Sequence, residues 1–219
     1  MRQNPIILDT DPGIDDAVAM IVLRRLCPER VKLVAASYGN VSLSHTVNNA
    51  LTMRSLLNWD VPVLKGANRP ASGEAPDASH IHGTDGLGGL SLSHPAGKVI
   101  EGDFLQILSN QIRAFSPVDY LTIGPLTNLA LLLKRFPDIQ PHIGRVVSMG
   151  GGINMGNVTP YAEFNIHCDP ESAAYVFKTM PDVSLVPLDT TTQVAFSLEQ
   201  IERYTACLLY TSDVYKRQR

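Results

Sequence analysis

Residues 9 to 16 read Asp-Thr-Asp-Pro-Gly-Ile-Asp-Asp, four carboxylates in eight positions, directly after the apolar run Ile6-Ile7-Leu8. Like charges at that density repel one another. A protein relieves the repulsion by solvating the acids, protonating one of them or binding a hard cation. Solvation fits poorly beside a buried strand, and an all-oxygen ligand set selects calcium or magnesium over zinc. Helix capping would account for Asp15 or Asp16, because carboxylates accept from free N–H groups at a helix start and complement its dipole. It leaves Asp9 and Asp11 unexplained.

The elements that must hold these acids follow from periodicity. Ile6-Ile7-Leu8 reads as a short buried strand, Pro12-Gly13 as a tight turn, and Asp15-Asp16 as the first turn of a helix that continues through the apolar stretch 17–23. Further strands are predicted over 31–37, 61–64, 120–123, 145–149 and 183–187, with helices over 41–57, 103–115, 126–136 and 170–180. That alternation predicts an α/β fold, an open, mostly parallel sheet with helices on both faces. Ligands of such sheets collect at the carboxyl ends of the strands. Three polar or glycine-rich segments fall at predicted strand ends: Gly39-Asn40, the segment 124–128 and the segment 150–157. The last has its glycines misplaced for a dinucleotide fingerprint, so it reads as a loop that lets backbone approach a ligand. The stretch 66–97, rich in Gly, Ser, Pro and His, is too long for a plain connection and is predicted to be a functional loop.

With 219 residues, 44% hydrophobic and 18% charged, the chain fits one domain with a substantial core. A formal charge of −3 without a basic cluster before the last few residues argues against nucleic-acid and membrane partners and favours a small neutral ligand. The first residues lack a signal-peptide core, which sets the expectation of a cytoplasmic protein. Cys27, Cys168 and Cys207 lack metal-ligand spacing, and packing is the expected role of the first two. The domain is expected to span 1–206. The stretch 207–219 shows no regular periodicity, and it back-translates plausibly into two halves close to reverse complements, like the inverted transposon ends used in sequencing libraries. It is expected to be a non-native tail; the same codons in genomic reads would refute that.

Six segments in order, DTDPGIDDA at 9–17, GN at 39–40, IHGTDGLGG at 81–89, GPLTNLA at 124–130, MGGG at 149–152 and NVTPYAEFNIHCDPESA at 157–173, resemble the nucleoside hydrolases of the inosine–uridine-preferring branch. The resemblance covers residues 6 to about 206. It implies calcium-dependent hydrolysis of the N-glycosidic bond of ribonucleosides to ribose and free base. Asp11 would ligate Ca2+ and take a proton from its bound water, with Asp16 and the carbonyl of Ile123 as further ligands. Asp15 would bind ribose hydroxyls, Asn40 would lie near the water and the ribose, and Asn157, Glu163 and Asn165 would hold the sugar. Met149 would line the pocket and His82 would lie near the base. Glu163 and Asn165 would share a side if their segment is extended. Asp9 is expected to satisfy local backbone donors, Asn128 to cap or turn the chain, and His45, His80, His94, His142 and His167 to have no role. The resemblance also implies a homo-oligomer at full length. It further implies a later His-Asp pair supplying a calcium ligand and a proton donor, so the 219-residue chain is expected to be impaired. Two other readings stay open. Asp9-x-Asp11 after a strand matches a haloacid-dehalogenase-type phosphatase, and the same pocket could serve a non-catalytic nucleoside or ribose binder.

Overall fold

Alternation in Ile6-Ile7-Leu8 sends successive side chains to opposite sides of a strand, so both faces of that strand need cover. A computed structural model, which describes residues 3–89, 97–195, 197, 199–200 and 202–203, shows how they get it. The strands β1 (Ile6–Thr10), β2 (Val31–Ala36), β3 (Val63–Lys65), β4 (Val99–Ile100), β5 (Val118–Thr122), β6 (Ile143–Met149) and β7 (Val183–Val186) form one sheet in the order β4-β3-β2-β1-β5-β6-β7. Every described pair is parallel. The helices are α1 (Ile14–Leu26), α2 (Leu43–Leu56), α3 (Ser79–His82), α4 (Phe104–Phe115), α5 (Thr127–Arg135), α6 (Phe164–Cys168), α7 (Pro170–Thr179) and α8 (Leu188–Thr191).

Ile7 packs with Leu33, Leu64, Tyr120 and Val146 beneath α4, α5 and α7, whose Leu108, Ile112, Leu129, Leu133 and Val176 complete one core. Ile6 and Leu8 join Val34, Ala36 and Val63 beneath α1 and α2, which contribute Met20, Val47, Ala50 and Met53 to the other. Fully burying each such side chain contributes about 1.5–3 kcal/mol, so the two layers hold the sheet from both sides. The strand order reverses at β1, which lies between β2 and β5, and this switch point is where the acid segment emerges.

The structure departs from the sequence expectations in identifiable places. β1 runs on to Thr10, so Asp9 belongs to the strand. The region 66–97 holds a short helix, α3, in its described part. β4 and the 3-10 helix Pro137–His142 were not expected, since two residues or one tight turn leave no periodic signal. Residues 163–165 do not form an extended segment: Glu163, with extended backbone, is the N-cap of α6, and Asn165 lies in its first turn. The expected tail, with Cys207, lies outside the described residues. Among the described residues no helix is long and apolar enough to cross a membrane.

Candidate functional site

The acids converge at the carboxyl end of β1. Asp11 is fully buried: Oδ2 accepts from the Asn40 backbone N–H at 2.8 Å, while Oδ1 has no hydrogen-bond partner. A side chain at Gly39 or Gly124 would collide with this carboxylate, so glycine at both positions is what lets the ends of β2 and β5 close around it. Asp16, 3% exposed at the start of α1, accepts from Thr10 Oγ1 at 2.6 Å and from Gly13 N and Asn40 Nδ2 at 3.0 Å each. The Gly13 contact caps α1. Burial first, and then the Asp16 charge, push the Asp11 carboxyl well above the usual carboxylate range. Burial, and then Asp15, push Asp16 to about 7.

Asp15, Asp16, Asn40, His82, Ile123, Met149, Asn157, Glu163 and Asn165 all line one cleft of about 830 Å³, with Asp11 beneath its floor. Asp15 is exposed, its side chain 80% accessible, and Asn157 sits at the rim with its N–H donating to the Ala162 carbonyl. Glu163 caps α6, accepting from Asn165 N at 3.0 Å, Ile166 N at 3.2 Å and Gly151 N at 2.8 Å. Oε1 retains a free lone pair. The Asn165 amide donates to the carbonyls of Ile123 and Met149 at 3.0 and 3.3 Å, which leaves its oxygen to accept. His82 Nδ1 accepts from the Ile14 backbone N–H at 3.2 Å and lies 3.8 Å from Asp15 Oδ1. The two contacts ask for opposite protonation of one nitrogen. The shorter one, from a fixed N–H, assigns the lone pair to Nδ1 and the hydrogen to Nε2.

Several residues do more than the sequence suggested. Asp9 does not satisfy backbone donors: it accepts from Tyr120 OH at 2.6 Å and Asn128 Nδ2 at 2.8 Å. Asn128 neither caps nor turns the chain; it lies within α5, fully buried, and its oxygen also accepts from Ala67 N at 2.8 Å. Burial raises Asp9 to about 7 although both hydrogen bonds oppose it. Both Asp9 oxygens are engaged by buried side-chain donors and Asp9 does not line the cleft, which counts against the phosphatase reading. Tyr38 OH, Thr127 Oγ1 and Asp169 form a second buried chain, with contacts of 2.9 and 2.7 Å, and Asp169 Oδ2 also accepts from Ala71 N. Asp77, His80 and His167 line the cleft as well. Only the neighbourhood of His82 and Asn165 hinted at these histidines.

The donor set suits a hard cation. Asp11 Oδ1 is a buried carboxyl oxygen without a hydrogen-bond partner, Asp16 Oδ1 keeps a lone pair beside its one donor, and the Ile123 carbonyl keeps one beside Asn165. No Lys or Arg is among the described residues that line the cleft. No three acid, His or Cys side chains form a ready metal cage among the described residues, so a cation here would need backbone oxygen as well.

A parallel doubly covered sheet with buried acids at its switch point places the chain among α/β proteins of the kind that bind small ligands at the strand ends. Residues 6–217 match the profile of the inosine-uridine preferring nucleoside hydrolases, a span that runs into 207–219, and the chain belongs to that family. It is 44% identical over 191 residues to the non-specific ribonucleoside hydrolase RihC of Escherichia fergusonii, covering 86% of this chain and 62% of that protein. It is 44% identical over 204 residues to the pyrimidine-specific ribonucleoside hydrolase RihA of Shewanella baltica, covering 92% and 64%. The purine-preferring ribonucleoside hydrolase from Gardnerella vaginalis superposes with a TM-score of 0.84 at 28% identity, over 93% of this chain and 66% of that one. The chain thus spans somewhat under two thirds of the length of the curated relatives it matches.

Proposed function

We propose that this chain carries the sugar- and water-handling part of a calcium-dependent ribonucleoside hydrolase, which transfers the glycosyl carbon of a ribonucleoside from base to water. The observation that carries this reading is the buried, unpartnered Oδ1 of Asp11, hydrogen-bonded through Oδ2 to Asn40, which lines the cleft beside Asp16. Asp11, Asp16 and the Ile123 carbonyl would hold the calcium. Calcium bound there would lower the pKa of a water molecule and grip vicinal ribose hydroxyls.

The residues of the chain supply the rest. Asp11, whose burial raises its proton affinity, takes a proton from the attacking water. The carboxylates of the floor favour the oxocarbenium-like transition state, whose positive charge develops on the sugar ring. Glu163 Oε1 and Asn165 Oδ1 accept from ribose hydroxyls, with Asp15 and Asn157 at the rim, and Met149 forms the wall. His82, with its hydrogen on Nε2, donates toward the departing base. Asn40 spends both amide hydrogens on the Asp11 carbonyl and the Asp16 carboxylate, so it orders the acids before it touches ligand.

The test is release of reducing sugar from inosine and from uridine, with calcium or with chelator. It uses this chain and one completed with the segment that the relatives carry beyond the match. Calcium-dependent release in the completed chain is expected. Nucleoside binding without release in both would leave a binder in place of the enzyme.

A further inference from the structure

Asn49 is an unexpected residue for its place. It lies on α2 among Val47, Ala50 and Met53, which face the core, and is itself 3% exposed. A polar amide there stabilises nothing unless its hydrogens are used. Both are: Nδ2 donates to the Pro12 carbonyl at 2.9 Å and to the Asp85 carbonyl at 2.7 Å. Two carbonyl partners can only face the nitrogen, which fixes the orientation of the amide. Pro12 belongs to the turn between Asp11 and α1, and Asp85 to the loop that carries His82.

The loop is shaped to receive this contact. Gly86, buried, with φ +84°, follows Asp85, and a Cβ there would lie 2.7 Å from Asn49 Nδ2 and 2.9 Å from Val41 Cγ2. The Asp85 carboxylate accepts from Leu87 N and Gly89 N, which folds the loop behind the contact. On its near side Ala78 N donates to the Asn40 carbonyl and Gly88 N to the His82 carbonyl.

We infer that Asn49 is a positioning residue that sets the distance between the acid turn and the His82 loop by bridging Pro12 and Asp85 with one amide. Removing it leaves the loop tied to the turn side only by the weaker, exposed Ile14 N–H to His82 contact and by Ala78 N–H to the Asn40 carbonyl, so its Asp85 end loosens while the acids keep their own partners Asn40, Thr10 and Gly13. What the loop presents to a base rests on the nucleoside reading; the bridge itself does not.

Asn49→Asp tests it, because an isosteric carboxylate cannot donate to either carbonyl. Amide hydrogen exchange of the 219-residue chain should accelerate by about tenfold or more at Ala78, His82, Gly86 and Gly88 and stay unchanged in β1 and β5. Gly86→Ala, which leaves α2 intact, should give the same local pattern and guards against a variant that does not fold. Calorimetric titration with calcium alone should change less than about threefold, while inosine in the presence of calcium should bind about tenfold more weakly, as expected for a loss near 1.4 kcal/mol. Acceleration spread evenly over the sheet, or none in the loop, would overturn the inference. Failure of the unsubstituted chain to bind inosine would count against the nucleoside reading alone, since the exchange result decides the bridge without ligand.

Discussion

The same pair of strands carries buried carboxylates at both ends, and the two ends are neutralised differently. At the amino end of β5, Asp119 accepts from Arg30, Arg145 and Asn4, each at 3.0 Å. At the carboxyl end of β1, Asp9, Asp11 and Asp16 are as buried, yet their donors are the hydroxyls of Thr10 and Tyr120, the side-chain amides of Asn40 and Asn128, and backbone N–H groups. Buried charge is tolerated when it is paired and hydrogen-bonded. The chain brings its own guanidinium groups where the acid is structural. It brings only neutral donors where the acids underlie the cleft, the arrangement that the proposed calcium would complete.

The sharpest way to break this comparison is Asp11→Asn. If the upper acids await a cation, calcium at roughly 100 times its dissociation constant should stabilise the parent chain by about 2.7 kcal/mol and leave the variant nearly unmoved. Sugar release by the completed chain should fall about 10²- to 10⁴-fold, the usual loss on removing a general base. Thermal unfolding with and without calcium reads the first effect. An equal calcium shift in parent and variant would mean that Asp11 holds nothing.

The lower cluster should behave oppositely. Replacing Arg30 and Arg145 together by alanine strands Asp119, and leaving a buried carboxylate unpaired costs about 3 kcal/mol, the low end of the range because both guanidinium groups are partly exposed. That loss should be the same in calcium and in chelator, measured by urea unfolding. A loss that calcium repairs would erase the distinction between the two ends.

The buried acids also differ among themselves in their response to pH. Asp9 and Asp16 have folded-state pKa values raised to about 7, by burial above all, against an ordinary 3.8. A raised carboxyl binds its proton more tightly in the folded state. The contribution of these groups therefore favours folding below about pH 4 and is lost as pH rises through 7. Asp169 runs the other way: burial pushes it up, but hydrogen bonds from Ala71, Ser172 and Thr127 outweigh that and hold it below 3.8, so its contribution is lost only in stronger acid. Between pH 5 and 8 the chelated chain should lose stability, and calcium should restore more at pH 8 than at pH 5. Stability that rises over that window in chelator would contradict the assignment.

The two ends were also unequally legible in the sequence. The acids at the cleft were visible because four carboxylates in eight positions after an apolar run have few explanations, and the parallel α/β fold followed from alternating periods. Asp119 gave no signal, since a single acid in a strand is paired only through residues 26 and 89 positions away. The same limit hid Asn128, whose partners Asp9 and Ala67 are 119 and 61 residues distant, and Asn49, which looks like any polar residue on a helix. Glu163 and Asn165, assigned from the resemblance, both line the cleft, but the shared side does not come from an extended segment: a helix cap and its first turn bring them there. Short elements fixed by one side-chain contact carry no period to read.

Glu163 supplies the finest distinction. It lines the cleft, as Asp11 underlies it, yet both its oxygens accept from backbone N–H groups, whereas Asp11 Oδ1 accepts from none. Glu163→Gln replaces one accepting oxygen by a donor that faces those N–H groups, and loss of a cap contact of this kind costs about 1 kcal/mol. Calcium stabilisation should survive, because the acids of the floor are untouched. Inosine affinity should fall by roughly tenfold, about 1.4 kcal/mol, if Oε1 accepts from a ribose hydroxyl. Thermal unfolding and inosine titration on the same variant separate the two contributions. An unchanged affinity with the expected small loss of stability would assign Glu163 to the cap alone and leave Asn165 and Asp15 to hold the sugar.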